Sequence, residues 1–160
     1  MFLICDKVSE RHKKIRSFLK KGDYSIAVIL AAVDFEWTVR RAIRALGKQP
    51  SGILKEEINK SKERGCAGYK NLWKKHVCDD VEKSLVKIIG RRNWDRLIAA
   101  FSHRNDLVHG YEGSPNPVQA TNSVDSLIMA SEIINKLTES LKFPIYGKPI
   151  RRKKERVKLK

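Results

Sequence analysis

The stretch from Tyr24 to Leu46 constrains the fold most, because it contains no glycine or proline before Gly47. Asp23 is a favourable N-cap residue and Gly47 a common helix stop, so the stretch predicts one long helix. Its apolar side chains fall into two stripes at helical spacing: Ile26, Ile29, Leu30, Val33 and Trp37 on one side, and Phe35, Val39, Ala42 and Leu46 on the other. A helix that is apolar on two sides must be covered on two sides, so we expect it at the centre of an all-α bundle.

The rest of the chain predicts further helices, with no strand and no internal repeat. We expect helices over residues 5–21, 93–109 and 123–142, and short helices over 53–58, 69–76 and 81–89. The segment from Gly113 to Pro117 is predicted to be a loop, because its two prolines oppose helix formation. The charged residues of the central stretch are Asp34, Glu36, Arg40, Arg41 and Arg44. They point either toward the polar residues near the end of the predicted helix over 93–109 or toward water, and we expect water for most of them.

The charge of the chain predicts a polyanionic partner. Lysine and arginine number 34 against 18 aspartate and glutamate residues, which leaves a net charge of +16. We expect one helical domain over residues 1–142 and a basic, flexible tail over 143–160. Nucleic acid is the commonest polyanion in cells, so RNA is the expected partner. The tail residues predicted to contact it are Arg151, Arg152, Lys153 and Lys154.

Cysteine usage and hydropathy indicate the compartment. Cys5, Cys66 and Cys78 are odd in number and far apart, which argues against a disulfide framework and for a reducing environment. The sequence lacks the closely spaced cysteine pair that structural zinc sites use, so we expect no metal and no cofactor. The run from Asp79 to Glu82 either binds magnesium or forms a solvated helix start. No apolar run approaches the length of a membrane span, so we expect a soluble, cytoplasmic protein without a membrane partner.

Two aromatic residues among lysines form a second feature. Tyr69 and Trp73 lie four positions apart, which places them on one side of a helix. Lys70 and Lys74 follow them, so Trp73 and these two lysines are candidate RNA contacts, with bases stacking on the indole. The alternative is that both aromatic residues pack in the core while the lysines face solvent.

A cluster of polar side chains closes the predicted helix over 93–109. Upstream, Trp94, Ile98 and Phe101 recur at helical spacing and predict an apolar stripe, which the same spacing extends through Asn105 to Val108. A polar residue on such a stripe needs a partner or a function. Two other histidines, His12 and His103, are expected to be ordinary surface residues.

Arg104, Asn105, His109 and Tyr111 supply the chemistry of this cluster. Gly110 is the expected helix stop, so His109 lies in the last turn, where the helix dipole favours a protonated imidazole. Asn105 and His109 lie about 40° apart around the helix, whereas Arg104 and His109 lie about 140° apart. Arg104 and His109 therefore meet only if the helix loosens at its end or if a second copy faces the first. Together they would suffice to cleave RNA through its own 2′-hydroxyl without metal.

These residues resemble the Arg-four-to-six-His motif of HEPN domains, in which a polar residue commonly follows the arginine. Tyr111 extends the likeness to the Arg-x4-His-x-Tyr form of HEPN toxins that are paired with a nucleotidyltransferase antitoxin. The resemblance covers residues 5–142 and implies a helical bundle that dimerises around a composite, metal-independent endoribonuclease site. It implies catalytic roles for Arg104, Asn105 and His109, with Tyr111 lining the site or accepting a nucleotidyl group.

The biological role that the resemblance implies is that of a toxin or an antiviral defence effector, restrained by an antitoxin or another neutralising protein. Two other functions fit the same sequence. One is a catalytically silent HEPN-like module that binds RNA or acts as an adaptor. The other is a basic helical protein that binds DNA. The structural alternatives for the motif are a capping or ion-paired Arg104, a hydrogen-bonded His109 and a packed Tyr111.

Overall fold

The computed structural model describes residues 7–61, 65–110 and 115–146, and all regular structure within these ranges is helical. The helices are α1 (Val8–Lys21), α2 (Tyr24–Leu46), α3 (Ser51–Lys60), α4 (Gly65–His76), α5 (Cys78–Val81), α6 (Leu85–Ile89), α7 (Arg91–His109) and α8 (Pro117–Ser140). The predicted all-α class is confirmed. None of these helices has the length and apolar character needed to cross a bilayer.

Helix α2 forms the centre of the bundle, as its two apolar stripes predict. It contacts α8 most extensively and also touches α1, α3, α4 and α7. Small side chains on both partners let α2 and α8 approach closely, including Ala27, Ala31 and Ala32 on α2 and Ala120 and Ala130 on α8, all of them buried. Larger side chains such as Phe35 and Ile43 fill the space toward the remaining helices. The prediction that this helix is central is confirmed, but its first predicted stripe is only partly covered: Ile26 is 47% exposed, and Ile29, Leu30, Val33 and Trp37 are half-buried.

The start of α8 corrects the sequence prediction. The helix begins at Pro117, whereas the prolines were expected to keep this segment in a loop and the helix to begin at residue 123. Pro117 occupies the first helical position, where no backbone N–H is needed and the fixed φ of proline favours the helix. The side chain of Asn116 caps the helix by accepting a hydrogen bond from the N–H of Val118 at 2.8 Å.

The predicted helix over residues 81–89 begins only at Leu85, because Val81 is the last residue of a separate helix, α5. Helix α5 ends at Val81, and Glu82 adopts a left-handed conformation with φ of 54° that no helix continues through. Helix α6 begins after Ser84, whose side chain accepts a hydrogen bond from the N–H of Lys87 at 3.3 Å. Helical spacing of apolar residues alone did not reveal this break, because it carries no glycine or proline.

The folded body extends to Tyr146, beyond the boundary predicted at residue 142. Ile145 is fully buried, and its carbonyl oxygen accepts a hydrogen bond from Nε of Arg41 at 2.6 Å. The hydroxyl of Tyr146 lies 2.5 Å from Oγ1 of Thr38 on α2. The tail residues predicted to contact RNA, Arg151, Arg152, Lys153 and Lys154, lie outside the described residues.

The charged residues of α2 mostly do not face water, contrary to expectation. Asp34 is fully buried and forms ion pairs with Arg11 and His12 of α1. His12, expected on the surface, is only 6% exposed, because its ring lies between Asp34 and Glu132. The arginines of α2 also have specific partners: Arg40 donates to Tyr69, Arg41 to Ile145 and Arg44 to Ser51.

Candidate functional site

The register of α7 decides which side chains reach the surface. Leu97 and Ala100 are buried together with Trp94 and Phe101. Ile98 is 47% exposed and Val108 49% exposed, so the apolar stripe predicted through Ile98, Asn105 and Val108 is wrong at these positions. Helix α8 packs along one side of α7, and α2, α4 and α6 contact other parts of it. As a result, Leu97 lies at the middle of the buried side of α7. Asn105 therefore lies on the surface, and its polar side chain is not a buried group in need of a partner.

Arg104 and Asn105 interact directly at this surface. Nη1 of Arg104 donates a hydrogen bond to Oδ1 of Asn105 at 3.0 Å. Arg104 is half-buried, and its Nε atom is buried without a hydrogen-bond partner among the described residues. A buried donor of this kind is costly unless a ligand completes its hydrogen bonding. The carboxamide thus holds one side of the guanidinium.

His109 lies where the sequence places it, in the last turn of α7. Gly110 ends the helix in a left-handed conformation with φ of 70°, and its N–H donates to the carbonyl oxygen of Asp106. The His109 side chain is exposed. It lies four residues, or about 6 Å along the helix axis, beyond Asn105. Tyr111, the remaining residue of the predicted site, lies outside the described residues.

A cavity of about 590 Å³ joins Arg104 and Asn105 to residues of α2 and α4. Arg40 and Lys70 line it together with Arg104, so three cationic side chains from three helices share one cavity. Glu36 is the carboxylate among its lining residues, and the apolar part of the wall comes from Trp94, Ile98 and Phe101. His109 is not among the residues that line it. Three cations around one cavity suit a phosphate group, which accepts hydrogen bonds at several oxygens.

For Glu36 and Arg40 the sequence left open whether they point toward the motif or toward water, with water favoured, and both line the cavity with Arg104. They lie four residues apart on α2, which places both on one side of that helix. This spacing is the one sequence signal that could have found them, but it also suits an ordinary solvated pair. Their convergence with Arg104 depends on how α2, α4 and α7 pack, which the sequence pattern alone does not specify.

Tyr69 lies beside these two residues. Nε of Arg40 donates to the Tyr69 hydroxyl at 3.0 Å. Burial, and then the negative charge of Glu36, raises the pKa of Tyr69. The same two causes raise the pKa of the neighbouring Cys66 thiol to about 12. Both side chains therefore stay neutral at physiological pH, and Cys66 is not a thiolate nucleophile.

Trp73 does not present a stacking surface. Its side chain is fully buried, and its indole Nε1 donates to the carbonyl oxygen of Lys83 at 3.2 Å. The prediction that bases stack on Trp73 is wrong. The alternative prediction, that Trp73 and Tyr69 both pack in the core, is confirmed. Lys70 and Lys74 are both exposed, but of these two only Lys70 lines the cavity with Arg104.

A second cavity of about 640 Å³ lies between α7 and α8, on another flank of α7. His103 lines it and is only 3% exposed, so the expectation of a surface histidine is wrong. Nδ1 of His103 lies within hydrogen-bond distance of Oγ of Ser123, at 2.9 Å. This buried pair ties α7 to α8 and explains why a histidine is tolerated in the interface.

One carboxylate of the run from Asp79 to Glu82, which was considered for magnesium binding, forms an ion pair with a lysine. Asp79 pairs with Nζ of Lys48 at 2.5 Å, which lowers the pKa of the Asp79 carboxyl. Within residues 7–61, 65–110 and 115–146, no three histidine, cysteine, aspartate or glutamate side chains lie together as a metal-binding group would.

Comparison of the chain with protein-family models, with curated proteins and with solved structures finds no match. The chemistry available to the described residues is that of their own side chains. A guanidinium, held by a carboxamide, shares a cavity with two further cations and one carboxylate. An exposed imidazole follows one helical turn away.

Proposed function

We propose that this chain is a metal-independent endoribonuclease of the HEPN type that acts as a toxin or antiviral defence effector. A HEPN-like arrangement of the bundle is part of the proposal. The observation that carries it is the placement of Arg104, bonded to Asn105, in a cavity shared with Arg40 and Lys70. The net charge of +16 supports RNA as the substrate, because a chain this basic accumulates on polyanions.

In the proposed reaction the ribose 2′-hydroxyl attacks the adjacent phosphodiester. Arg104 offsets the negative charge that grows on the phosphorane, and His109 transfers a proton. Asn105 orients Arg104 through the hydrogen bond between the two side chains. Tyr111 is proposed to line the site or to accept a nucleotidyl group from a neutralising partner.

The proposed active form is a homodimer. Arg104 and His109 point about 140° apart around α7, and His109 does not line the cavity that contains Arg104. A second copy facing the first would bring its imidazole to this cavity. Ile98 supports such an interface, because it is an exposed apolar side chain on the same side of α7 as Asn105 and His109.

The decisive experiment incubates labelled single-stranded RNA with the purified protein in excess chelator. Cleavage should persist in the chelator and fall about 100-fold or more in both Arg104→Ala and His109→Ala. Arg92→Ala is the matched control, because Arg92 is an exposed arginine on the same helix and does not line the cavity. Circular dichroism checks that each variant retains its helices. RNA binding without cleavage would favour the adaptor function, and preference for duplex DNA would favour a DNA-binding protein.

Mixing the two inactive variants tests the composite site. Half of the dimers in an equimolar mixture pair one variant with the other, and each such dimer has one intact site of two, so about a quarter of wild-type activity should return. Sedimentation of the wild type as a monomer at micromolar concentration, or no recovery on mixing, would contradict the dimer.

A further inference from the structure

One carboxylate lies in the cation-lined cavity beside Arg104. Glu36 is half-buried, and within the described ranges no ion pair joins it to Arg40, Lys70 or Arg104, although all four line the same cavity. In the described part of the chain, Glu36 and the three cations line one cavity but form no ion pair with each other. A ligand can therefore fit between the carboxylate and the cations. The volume of about 590 Å³ lies within the range of small-molecule sites.

Tyr69 is a rigid neighbour of Glu36. The tyrosine ring is almost fully buried and packs edge-on against Phe35, with the ring centroids 6.4 Å apart. Its hydroxyl accepts a hydrogen bond from Arg40, and burial, and then the charge of Glu36, raises its pKa. A carboxylate offers about four acceptor positions, so Glu36 is able to accept a proton or hydrogen bond from a ligand.

The cavity therefore presents two chemical features to a ligand, a set of cations and a carboxylate acceptor. Cations match a phosphodiester, and the acceptor matches a hydroxyl group close to it. RNA has this pairing at every nucleotide, because the 2′-hydroxyl adjoins the phosphate, whereas DNA lacks the hydroxyl. We propose that the cavity is a ribose-phosphate subsite in which Glu36 contacts the 2′-hydroxyl and acts as the general base. This inference rests on the proposed function and assigns its base.

The step balances without a further reactant. Glu36 takes the proton of the 2′-hydroxyl, the 2′-oxygen forms a bond to phosphorus, and the bond from phosphorus to the 5′-oxygen breaks. The leaving 5′-oxygen takes a proton from His109 of the second copy, which gives a 2′,3′-cyclic phosphate and a 5′-hydroxyl end. Arg104 and the two cations beside it offset the charge on the phosphorane. In this assignment Glu36, which lines the cavity, is the general base. His109, which does not line the cavity of its own chain, is the general acid.

The first test replaces Glu36 by glutamine and measures cleavage and binding separately. Glu36→Gln should lower the cleavage rate about 100-fold or more and flatten the acidic side of the pH–rate profile, because no group remains that must ionise. Its affinity for a DNA oligomer of the same sequence should stay equal or rise slightly. Asp95→Asn is the matched control, since it removes the same charge from an exposed position on α7 outside the cavity. Wild-type cleavage by Glu36→Gln, with the same pH profile, would overturn the assignment while leaving the proposed function in place.

The second test does not depend on cleavage. Wild-type protein and Glu36→Ala are titrated with matched RNA and DNA oligomers at low temperature in chelator, in the His109→Ala background if RNA is cut. The wild-type residue should give a preference for RNA over DNA of about tenfold or more, corresponding to one hydrogen bond to a charged group. Glu36→Ala should abolish this preference, and Asp95→Asn should keep it.

These outcomes separate the two proposals. A wild-type chain that never cuts RNA but loses its RNA preference in Glu36→Ala would refute the nuclease and retain the ribose-phosphate subsite. An RNA preference that is absent, or unchanged in Glu36→Ala, would refute the subsite. If Glu36→Gln or Glu36→Ala loses its helical circular dichroism, Glu36→Asp replaces it in the same assays. Glu36→Asp keeps the negative charge but moves the carboxylate back from the ligand by the length of one methylene group. It should therefore lower kcat and leave KM unchanged. A wild-type kcat in this variant would refute the assignment.

Discussion

Nε of Arg11 lies 2.8 Å from Oδ1 of Asp34, and this buried ion pair joins α1 to the middle of α2. His12 contributes a second contact, with its Nε2 atom 3.0 Å from Oδ2 of the same carboxylate. Burial by itself raises the pKa of Asp34, but hydrogen bonds from His12 and Arg11 and the charge of Arg11 outweigh burial and lower it. The carboxylate is therefore ionised in the folded protein at physiological pH.

Replacing Asp34 by asparagine should destabilise the fold strongly. The variant leaves Arg11 buried without its counter-charge, and breaking a buried pair in this way costs about 3–5 kcal/mol. Urea unfolding of both proteins at neutral pH measures the difference. A loss below about 1 kcal/mol would contradict the role assigned to this pair.

The same comparison has a defined pH dependence. Because the folded-state pKa of Asp34 is lowered, its stabilising contribution is present above the ordinary carboxyl pKa of about 4 and is lost as the pH falls through the folded value. The stability gap between wild type and Asp34→Asn should therefore shrink from about pH 5 to about pH 3. His12, Arg11 and Glu132 surround the carboxylate, and a Glu132→Gln background separates the titration of that exposed acid from Asp34.

Replacing Gly110 by alanine should destabilise the end of α7. A Cβ atom at this position meets no atom within 4 Å, so the cost comes from the backbone alone, at φ of +70°. We expect a loss of about 1 kcal/mol. Gly52→Ala is the control, because Gly52 lies within α3 with equally open surroundings and no positive φ. Alanine there should stabilise by up to about 1 kcal/mol, so the two variants should shift Tm in opposite directions.

Cys66 should resist alkylation in the folded protein. Burial, and then the charge of Glu36, raises the pKa of its thiol to about 12, so little thiolate exists near pH 8. In a Cys5→Ser background, iodoacetamide should modify the half-buried Cys78 well before Cys66. Denaturant should make the two rates similar. Equal rates in the native protein would contradict the buried position of Cys66.

Lys70 and Lys74 allow a test of where RNA meets α4. Both side chains are exposed, but of the two only Lys70 lines the cavity with Arg104. Lys70→Ala should weaken RNA binding and reduce the slope of log affinity against log salt by about 0.7, the value for one phosphate contact on a single strand. Lys74→Ala should change the slope less. An equal change in both variants would mean that the RNA backbone follows α4 past the cavity, and no change in Lys70→Ala would remove this contact.

The central helix was predictable because its signal is local. Two apolar stripes without glycine or proline between Asp23 and Gly47 require a long helix covered on both sides. The register of α7 was not predictable in this way. Leu97 and Ile98 are adjacent apolar residues, and either completes a stripe with Trp94 and Phe101; the packing of α8 against α7 selects Leu97.

The residues of the candidate site likewise include some that were predictable from one segment and some that depend on helix packing. Arg104, Asn105 and the helix-terminal His109 follow from spacing and from Gly110, which are properties of one segment. Glu36 enters the site through the packing of three helices that lie far apart in the sequence. Sequence reasoning also expected charged and imidazole side chains at the surface, and it failed at His12 because its partner Asp34 lies 22 residues away.

The docking of Ile145 and Tyr146 on α2 bears on how the protein can be shortened for study. The guanidinium carbon of Arg11 lies 4.5 Å from the centroid of the Tyr146 ring, and that of Arg41 lies 5.6 Å from it. Removing the chain from residue 143 onward would strip a shared aromatic cover from two arginines and one carbonyl acceptor from Arg41. Crystallisation or labelling variants that end at the last turn of α8 should therefore be less stable than variants that include Ile145 and Tyr146.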